Sequence, residues 1–157
     1  MLVERDRNDE RCRTMKANER LVLDMIRAVE ERDLERVLDI YAPDVEFAWP
    51  PSLPGYGGTY RGSEVLEMNT AFAATWDPVQ PTEEARQVHA RVVASNDDEV
   101  VVHYHQRGID PDGRTCDSEV IGLYTVEGDK VARLQMFYFD PEQVTDFLRG
   151  DAERPAT

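Results

Sequence analysis

Val100-Val101-Val102-His103-Tyr104-His105-Gln106-Arg107, then Asp110-Pro111-Asp112-Gly113, then Asp117-Ser118-Glu119-Val120-Ile121-Gly122-Leu123-Tyr124-Thr125 is the stretch that decides how this chain folds. Both flanks alternate in residue type and the middle is turn chemistry, the pattern of a β-hairpin. Folded about a near-symmetric turn, it sets His105 opposite Glu119, His103 opposite Ile121 and Arg107 opposite Asp117, all with one facing. Two imidazoles and a carboxylate then share a surface with Val101, Ile121 and Leu123. If that surface is the buried one, desolvation and neighbouring charge tune the group for proton transfer; if it faces water, the cluster means little. The buried orientation is the expectation carried forward.

Working outward, the hairpin is the middle of four consecutive strands: Glu84 to Ser95, Glu99 to Ile109, Thr115 to Val126 and Val131 to Phe139. Asn96-Asp97-Asp98 and Glu127-Gly128-Asp129 supply the other turns, so the strands form an antiparallel meander. A two-residue Gly128-Asp129 turn sets Leu134 opposite Leu123, Met136 opposite Ile121 and Tyr138 opposite Glu119. A slip of one residue would instead turn Gln135 and Phe137 inward. Upstream, Leu21, Val22, Met25, Ile26 and Val29 recur at helical spacing from a cap at Asn18, and Asp33 caps a shorter helix carrying Leu34, Val37, Leu38 and Tyr41. Val45 to Trp49 alternates as a strand and runs into a Pro- and Gly-rich loop, 50–58, read as a lid or rim. A third helix spans Ser63 to Trp76, with Val65, Leu66, Asn69, Phe72, Ala73 and Trp76 as its inner face. Asp140-Pro141-Glu142-Gln143 starts a last helix with a cap and a proline at its first position.

The 157 residues fit one domain, 18–149, between a charged N-terminal tail, 1–17, and a short C-terminal tail, 150–157. Eighteen basic against 32 acidic residues give a net charge of −14, a field that repels phosphate backbones, so nucleic acid is not an expected partner. No apolar run reaches membrane-spanning length and the N-terminus lacks a signal-peptide centre, so a cytoplasmic protein without membrane association is expected. Cys12 and Cys116 have neither CxxC spacing nor a partner cluster and are read as plain thiols.

Helix, helix, strand, helix and meander is an α+β order in which a curved antiparallel sheet wraps N-terminal helices to bury both apolar faces. With Arg32-Asp33-Leu34-Glu35, Tyr41-Ala42-Pro43-Asp44-Val45, Tyr60-Arg61-Gly62, Gly128-Asp129-Lys130-Val131 and Tyr138-Phe139-Asp140 in that order, it resembles the cone-shaped nuclear transport factor two-like superfamily. The SnoaL-like polyketide cyclase and ketosteroid isomerase-like branches are the most similar, from Asn18 to Leu148. The resemblance implies a deep pocket between sheet and helices, often a homodimer, and chemistry without metal or organic cofactor. It also leaves open a binding module with no catalysis. Where ketosteroid isomerases carry their tyrosine and two aspartates, the similar positions here are Ile26, Trp49 and Gly122, which argues against that chemistry. Similarity to the SnoaL-like cyclases points instead to His103, His105 and Glu119, with glutamate in place of the family's aspartate.

The resulting expectation is a cofactor-independent enzyme, of cyclase, isomerase or lyase (dehydration) type, acting on an apolar, cyclic or carbonyl-bearing metabolite. Glu119 and His105 would do acid/base work, and His103 and Tyr138 would orient or polarise an oxygen. Tyr41, Trp49, Tyr56, Phe72 and Trp76, with Ile121 and Met136, would wall the pocket. Structural pairing of Glu119 with His105, or a metal held by His103, His105 and Glu119, are the alternatives for the same residues. Arg107 with Asp117 reads as a rim ion pair, and His89 as a surface residue. The outward face carrying Arg133, Gln135, Phe137 and Phe139 holds enough aromatic surface to expect a homodimer through it.

Overall fold

The apolar stripe of Val22, Met25 and Ile26 makes the first helix one-sided, and that side packs onto a sheet. The computed structural model describes residues 15–150. In chain order it contains α1 (Ala17–Glu30), α2 (Leu34–Ile40), β1 (Tyr41–Trp49), β2 (Gly58–Arg61), α3 (Glu64–Trp76), a 3₁₀ turn (Asp77–Val79), α4 (Glu83–Arg86), β3 (Arg91–Ser95), β4 (Glu99–Ile109), β5 (Thr115–Glu127), β6 (Lys130–Tyr138) and α5 (Pro141–Arg149). The strands form one curved, unclosed sheet in the order β2-β1-β6-β5-β4-β3. Every neighbouring pair is antiparallel except β1 with β6. The expected α+β architecture is therefore present, with one core between helices and sheet. Residues 1–14 and 151–157, where most of the expected tails fall, lie outside the described residues. No helix of the described residues is long and apolar enough to cross a membrane.

The caps at Asp33 and Asp140 form as expected, each carboxylate accepting the backbone N–H three residues on. Asn18 does not cap α1. The helix starts one residue earlier, and Asn18 donates its amide to the carbonyls of Asn96 and Asp97, tying the helix to the β3–β4 turn. Arg32 ends α1 with φ +57°, a left-handed conformation usually left to glycine. Its guanidinium offsets that cost by donating to Val29 O, Asp77 Oδ1 and Gln80 Oε1, which fastens α1 to the end of α3.

Three expectations change. The stretch 84–90 is not strand: it forms α4 and an extended connection, and β3 begins at Arg91. Leu66 is exposed, and Met68 takes the inner place expected for it on α3. The Pro- and Gly-rich loop is not a lid, because Leu53 and Tyr56 are buried in the core. A Cβ at Gly57 would come within 2.6 to 2.8 Å of the carbonyls of Leu53, Pro50 and Pro51, so the loop closes tightly only around glycine.

Candidate functional site

The β4–β5 register is the expected one: His105 opposite Glu119, His103 opposite Ile121, Arg107 opposite Asp117. The facing is the reverse of the expected one. Val100, Val102, Tyr104 and Gln106 of β4, with Ser118, Val120 and Tyr124 of β5, are buried, and their odd-numbered neighbours look away from the helices. The physical reason is the cost of burying charge. Turning the odd face inward would desolvate two imidazoles, Arg107, Asp117, Glu119 and Glu99, whereas the even face asks the core to accept only neutral groups, the Gln106 amide and the hydroxyls of Ser118, Tyr104 and Tyr124.

His103, His105, Glu119 and Ile121 therefore lie on the outer face of the sheet, and the expectation that they look into the pocket is overturned. Their side chains pair diagonally and not straight across. Glu119 Oε1 lies 3.1 Å from His103 Nε2, and His105 Nδ1 donates to Asp117 Oδ1 at 2.7 Å. Glu119 is thus not paired with His105, nor Arg107 with Asp117. Arg107 donates to the carbonyls of Glu84 and Gln87 and lies 3.1 Å from His89 Nε2.

The last hairpin also departs from the expected register. A bulge between Thr125 and Val126 shifts the pairing by one, so Leu134 faces Tyr124, Met136 faces Gly122 and Tyr138 faces Val120. Both errors have the same parity. The bulge carries Leu134, Met136 and Tyr138 to the true interior face, so Met136 and Tyr138 are inside, though for a different reason. Gln135 and Phe137 stay outside, opposite Leu123 and Ile121.

Between α1, α3 and the sheet lies a cavity of about 60 Å³. Met25, Ile26 and Phe72 come from the helices; Tyr41, Phe47 and Trp49 come from β1; Tyr104, Gln106, Tyr124, Leu134 and Met136 come from the meander. Of the expected wall, Tyr41, Trp49, Phe72 and Met136 line this space. Phe47 stacks on Trp49 at 4.6 Å between ring centroids, and Trp49 stacks on Phe72 at 5.5 Å. Tyr56, Trp76 and Tyr138 are buried beside the cavity. There the Trp76 indole N–H donates to the Tyr56 hydroxyl, which shares a hydrogen bond with the Tyr138 hydroxyl.

Burial pushes the phenols of Tyr41, Tyr56, Tyr104, Tyr124 and Tyr138 well above their ordinary pKa, so each keeps its proton. Desolvation likewise pushes the Cys116 thiol up to about 11, with Asp117 and Asp140 adding to the effect. The Trp49 indole nitrogen is buried and has no hydrogen-bond partner among the described residues. Half-buried Val29, Glu30, Arg32, Asn69, Arg86 and Val88 mark the more open side. Among the described residues Glu30 is the one carboxylate on the cavity wall, and its Oε2 accepts the Val88 backbone N–H at 2.9 Å.

Tyr104, Gln106, Tyr124, Glu30 and Arg86 were missed by sequence reading. The signal was present for three of them, since Tyr104, Gln106 and Tyr124 alternate with the outer-face residues of the same strands. Glu30 and Arg86 are the last residues of α1 and of the four-residue α4, helix ends that no periodicity marks.

A family model described as a SnoaL-like domain matches residues 22–134. An uncharacterized protein of Mycobacterium tuberculosis is 28% identical over 129 residues, covering 80% of this chain and 94% of that protein. Two solved structures share the fold. TerC co-crystallized with polyporic acid has a TM-score of 0.66 at 21% identity, covering 78% of this chain and 92% of its own. An NTF2-like protein of unknown function from Burkholderia pseudomallei has a TM-score of 0.64 at 21% identity, covering 83% and 96%. The curved sheet over helices, the interior cavity and the match across most of the chain agree: with the fold of NTF2-like proteins, this chain belongs to the SnoaL-like domain family.

Proposed function

We propose that the cavity binds a small, largely apolar metabolite bearing a carbonyl oxygen. The observation that carries this reading is the Trp49 indole N–H, a buried donor with no partner among the described residues, in a wall made mostly of hydrocarbon and aromatic rings. Such a group calls for an acceptor, and a ligand carbonyl supplies one while its rings lie against Phe47 and Phe72. About 60 Å³ is well short of the roughly 150 Å³ of a cavity that takes a benzene ring, so a ring-sized ligand enters by displacing side chains. Met25 and Met136, flexible and on the wall, are suited to moving. The co-crystallization of TerC with polyporic acid supports a small organic ligand in this fold.

The test is a screen of apolar ketones and quinones by thermal shift, followed by calorimetry on the best binder. Trp49→Phe should weaken binding about tenfold, the worth of one hydrogen bond. Met136→Trp, which fills the cavity, should abolish it. Equal affinity in wild type and both folded variants overturns the proposal.

A second reading, acid/base catalysis on the bound ligand as in a cyclase or isomerase, is favoured by the Glu30 carboxylate at the wall. Its Oε2 is held by the Val88 N–H, which leaves Oε1 to take a proton beside the ligand carbonyl, with buried phenols as donors to the developing oxyanion. Glu30→Gln should keep binding and lose turnover; unchanged turnover of an identified substrate removes Glu30 from the reaction. The outward face, with Phe137 46% and Phe139 61% exposed, is proposed to join two copies of the chain. Sedimentation at micromolar concentration should give a dimer that Phe137→Glu with Phe139→Glu converts to monomer, and a wild-type monomer removes the proposal.

A further inference from the structure

On the outer face, away from the cavity, the structure assigns a binding site for a divalent first-row transition metal to His103, His105 and Glu119. Strand geometry brings the three together. His103 and His105 lie two apart on β4 and so project from the same face, and Glu119 stands opposite His105 on β5. One ligand atom from each falls within 4.8 Å of the others. A tetrahedral ion with bonds near 2.05 Å needs its ligand atoms about 3.3 Å apart. The 3.1 Å separation of His103 Nε2 and Glu119 Oε1 is close to that already, so an ion there takes the place of the proton the two now share.

His105 is the best oriented of the three ligands. Its Nδ1–H is held at 2.7 Å by Asp117 Oδ1, which fixes the tautomer and leaves the lone pair on Nε2. A carboxylate behind a ligating imidazole is the arrangement that orients histidines in metal sites and raises their basicity. Phe139, whose ring lies 6.3 Å from that of His103 at 70°, shields the site on one side.

Two nitrogens and one carboxylate select a transition metal over magnesium or calcium, which favour all-oxygen sets. Three protein ligands leave at least one position to water. The chain's net charge of −14 adds a favourable field for a cation. In the dimer proposed above, the ion would sit on the face between the two copies, so its stoichiometry is counted per chain.

The experiment is a titration of tag-free, chelator-stripped full-length protein with Co²⁺, followed by visible absorption and calorimetry, with circular dichroism to establish that each variant is folded. Wild type should bind one Co²⁺ per chain and develop ligand-field bands of a low-symmetry nitrogen–oxygen site. His103→Ala, His105→Ala and Glu119→Gln should each weaken binding by more than the about tenfold expected for Asp117→Asn, the outer partner. Mg²⁺ should not compete. Absence of a saturable band in the folded wild type, affinity unaltered in His103→Ala and Glu119→Gln, or equal competition by Mg²⁺ each overturns the assignment.

Discussion

The two faces of the β4–β5 pair are built from the same alternation and differ in what they can afford to hide. The inner face presents Tyr104, Gln106, Ser118, Val120 and Tyr124; the outer presents His103, His105, Asp117, Glu119 and Ile121. Both contain apolar and polar residues, so hydrophobicity alone does not rank them. Ionisable groups do. The polar groups taken inside are neutral at physiological pH, and the side chains that carry or gain charge are left outside.

The largest test of this contrast is alkaline unfolding. Each of Tyr41, Tyr56, Tyr104, Tyr124 and Tyr138 has its folded pKa raised by burial above the unfolded value near 10. Below pH 10 both states hold the phenolic proton and stability is unaffected. Above it the unfolded chain loses protons that the fold retains, so stability falls by roughly 1.4 kcal/mol per pH unit for each buried tyrosine. Phenolate absorbance and loss of near-ultraviolet circular dichroism should therefore rise together as one cooperative step. Gradual ionisation of these phenols in a protein that stays folded would break the distinction between the faces.

Packing provides the next tests. Leu134→Ala removes a fully buried side chain between β5 and the cavity and should cost about 2–5 kcal/mol in urea denaturation. Phe137→Ala, three residues on and facing outward, should cost within about 0.5 kcal/mol at concentrations where the chain is monomeric. Gly122→Ala should cost about 1–3 kcal/mol, because its Cβ would lie 2.6 Å from Tyr124 Cε2 on the same face. Similar melting of Gly122→Ala and wild type would mean that the Tyr124 ring can swing aside. Tyr138→Phe deletes the end of the Trp76–Tyr56–Tyr138 chain, yet Tyr56 still accepts from the Trp76 N–H, so the loss should be only about 0.5–1.5 kcal/mol.

The sequence made much of this legible. Alternation and turn chemistry placed the β4–β5 hairpin to the residue, and the caps at Asp33 and Asp140 marked two helix starts. What it did not mark was the bulge at Thr125 and Val126, because a bulge leaves alternation intact on each side and only the pairing reveals it. Asn18 had the chemistry of a cap but was drawn off by carbonyls 78 and 79 residues away, a tertiary bond invisible to local pattern. For the candidate site, Tyr41 and Trp49 of β1 and Phe72 of α3 line the cavity and were read as wall residues, whereas Trp76 lies beside the cavity and Phe47 was not read as wall. Glu30 and Arg86 were not, since their place on the wall follows from where α1 ends and how α4 returns to the sheet. The facing of His103 and Glu119 was decidable in principle: counting ionisable side chains on each face of the hairpin, before counting apolar ones, gives the observed answer.

The smallest expected effect lies on the outer face, and its smallness is the informative part. Glu119→Gln removes one side of a pair at 3.1 Å in which the histidine side chain is 12% exposed and the carboxylate 50%. A half-exposed carboxylate is still hydrated and its attraction is screened, so metal-free stability should change by no more than about 1 kcal/mol in thermal or urea unfolding. The same substitution should nevertheless remove a metal ligand. A residue that contributes little to the fold but much to cation affinity is held there by something other than packing. A loss of several kcal/mol from metal-free Glu119→Gln would reverse this, making the cross-strand pair a structural element of the sheet and the outer face a second core.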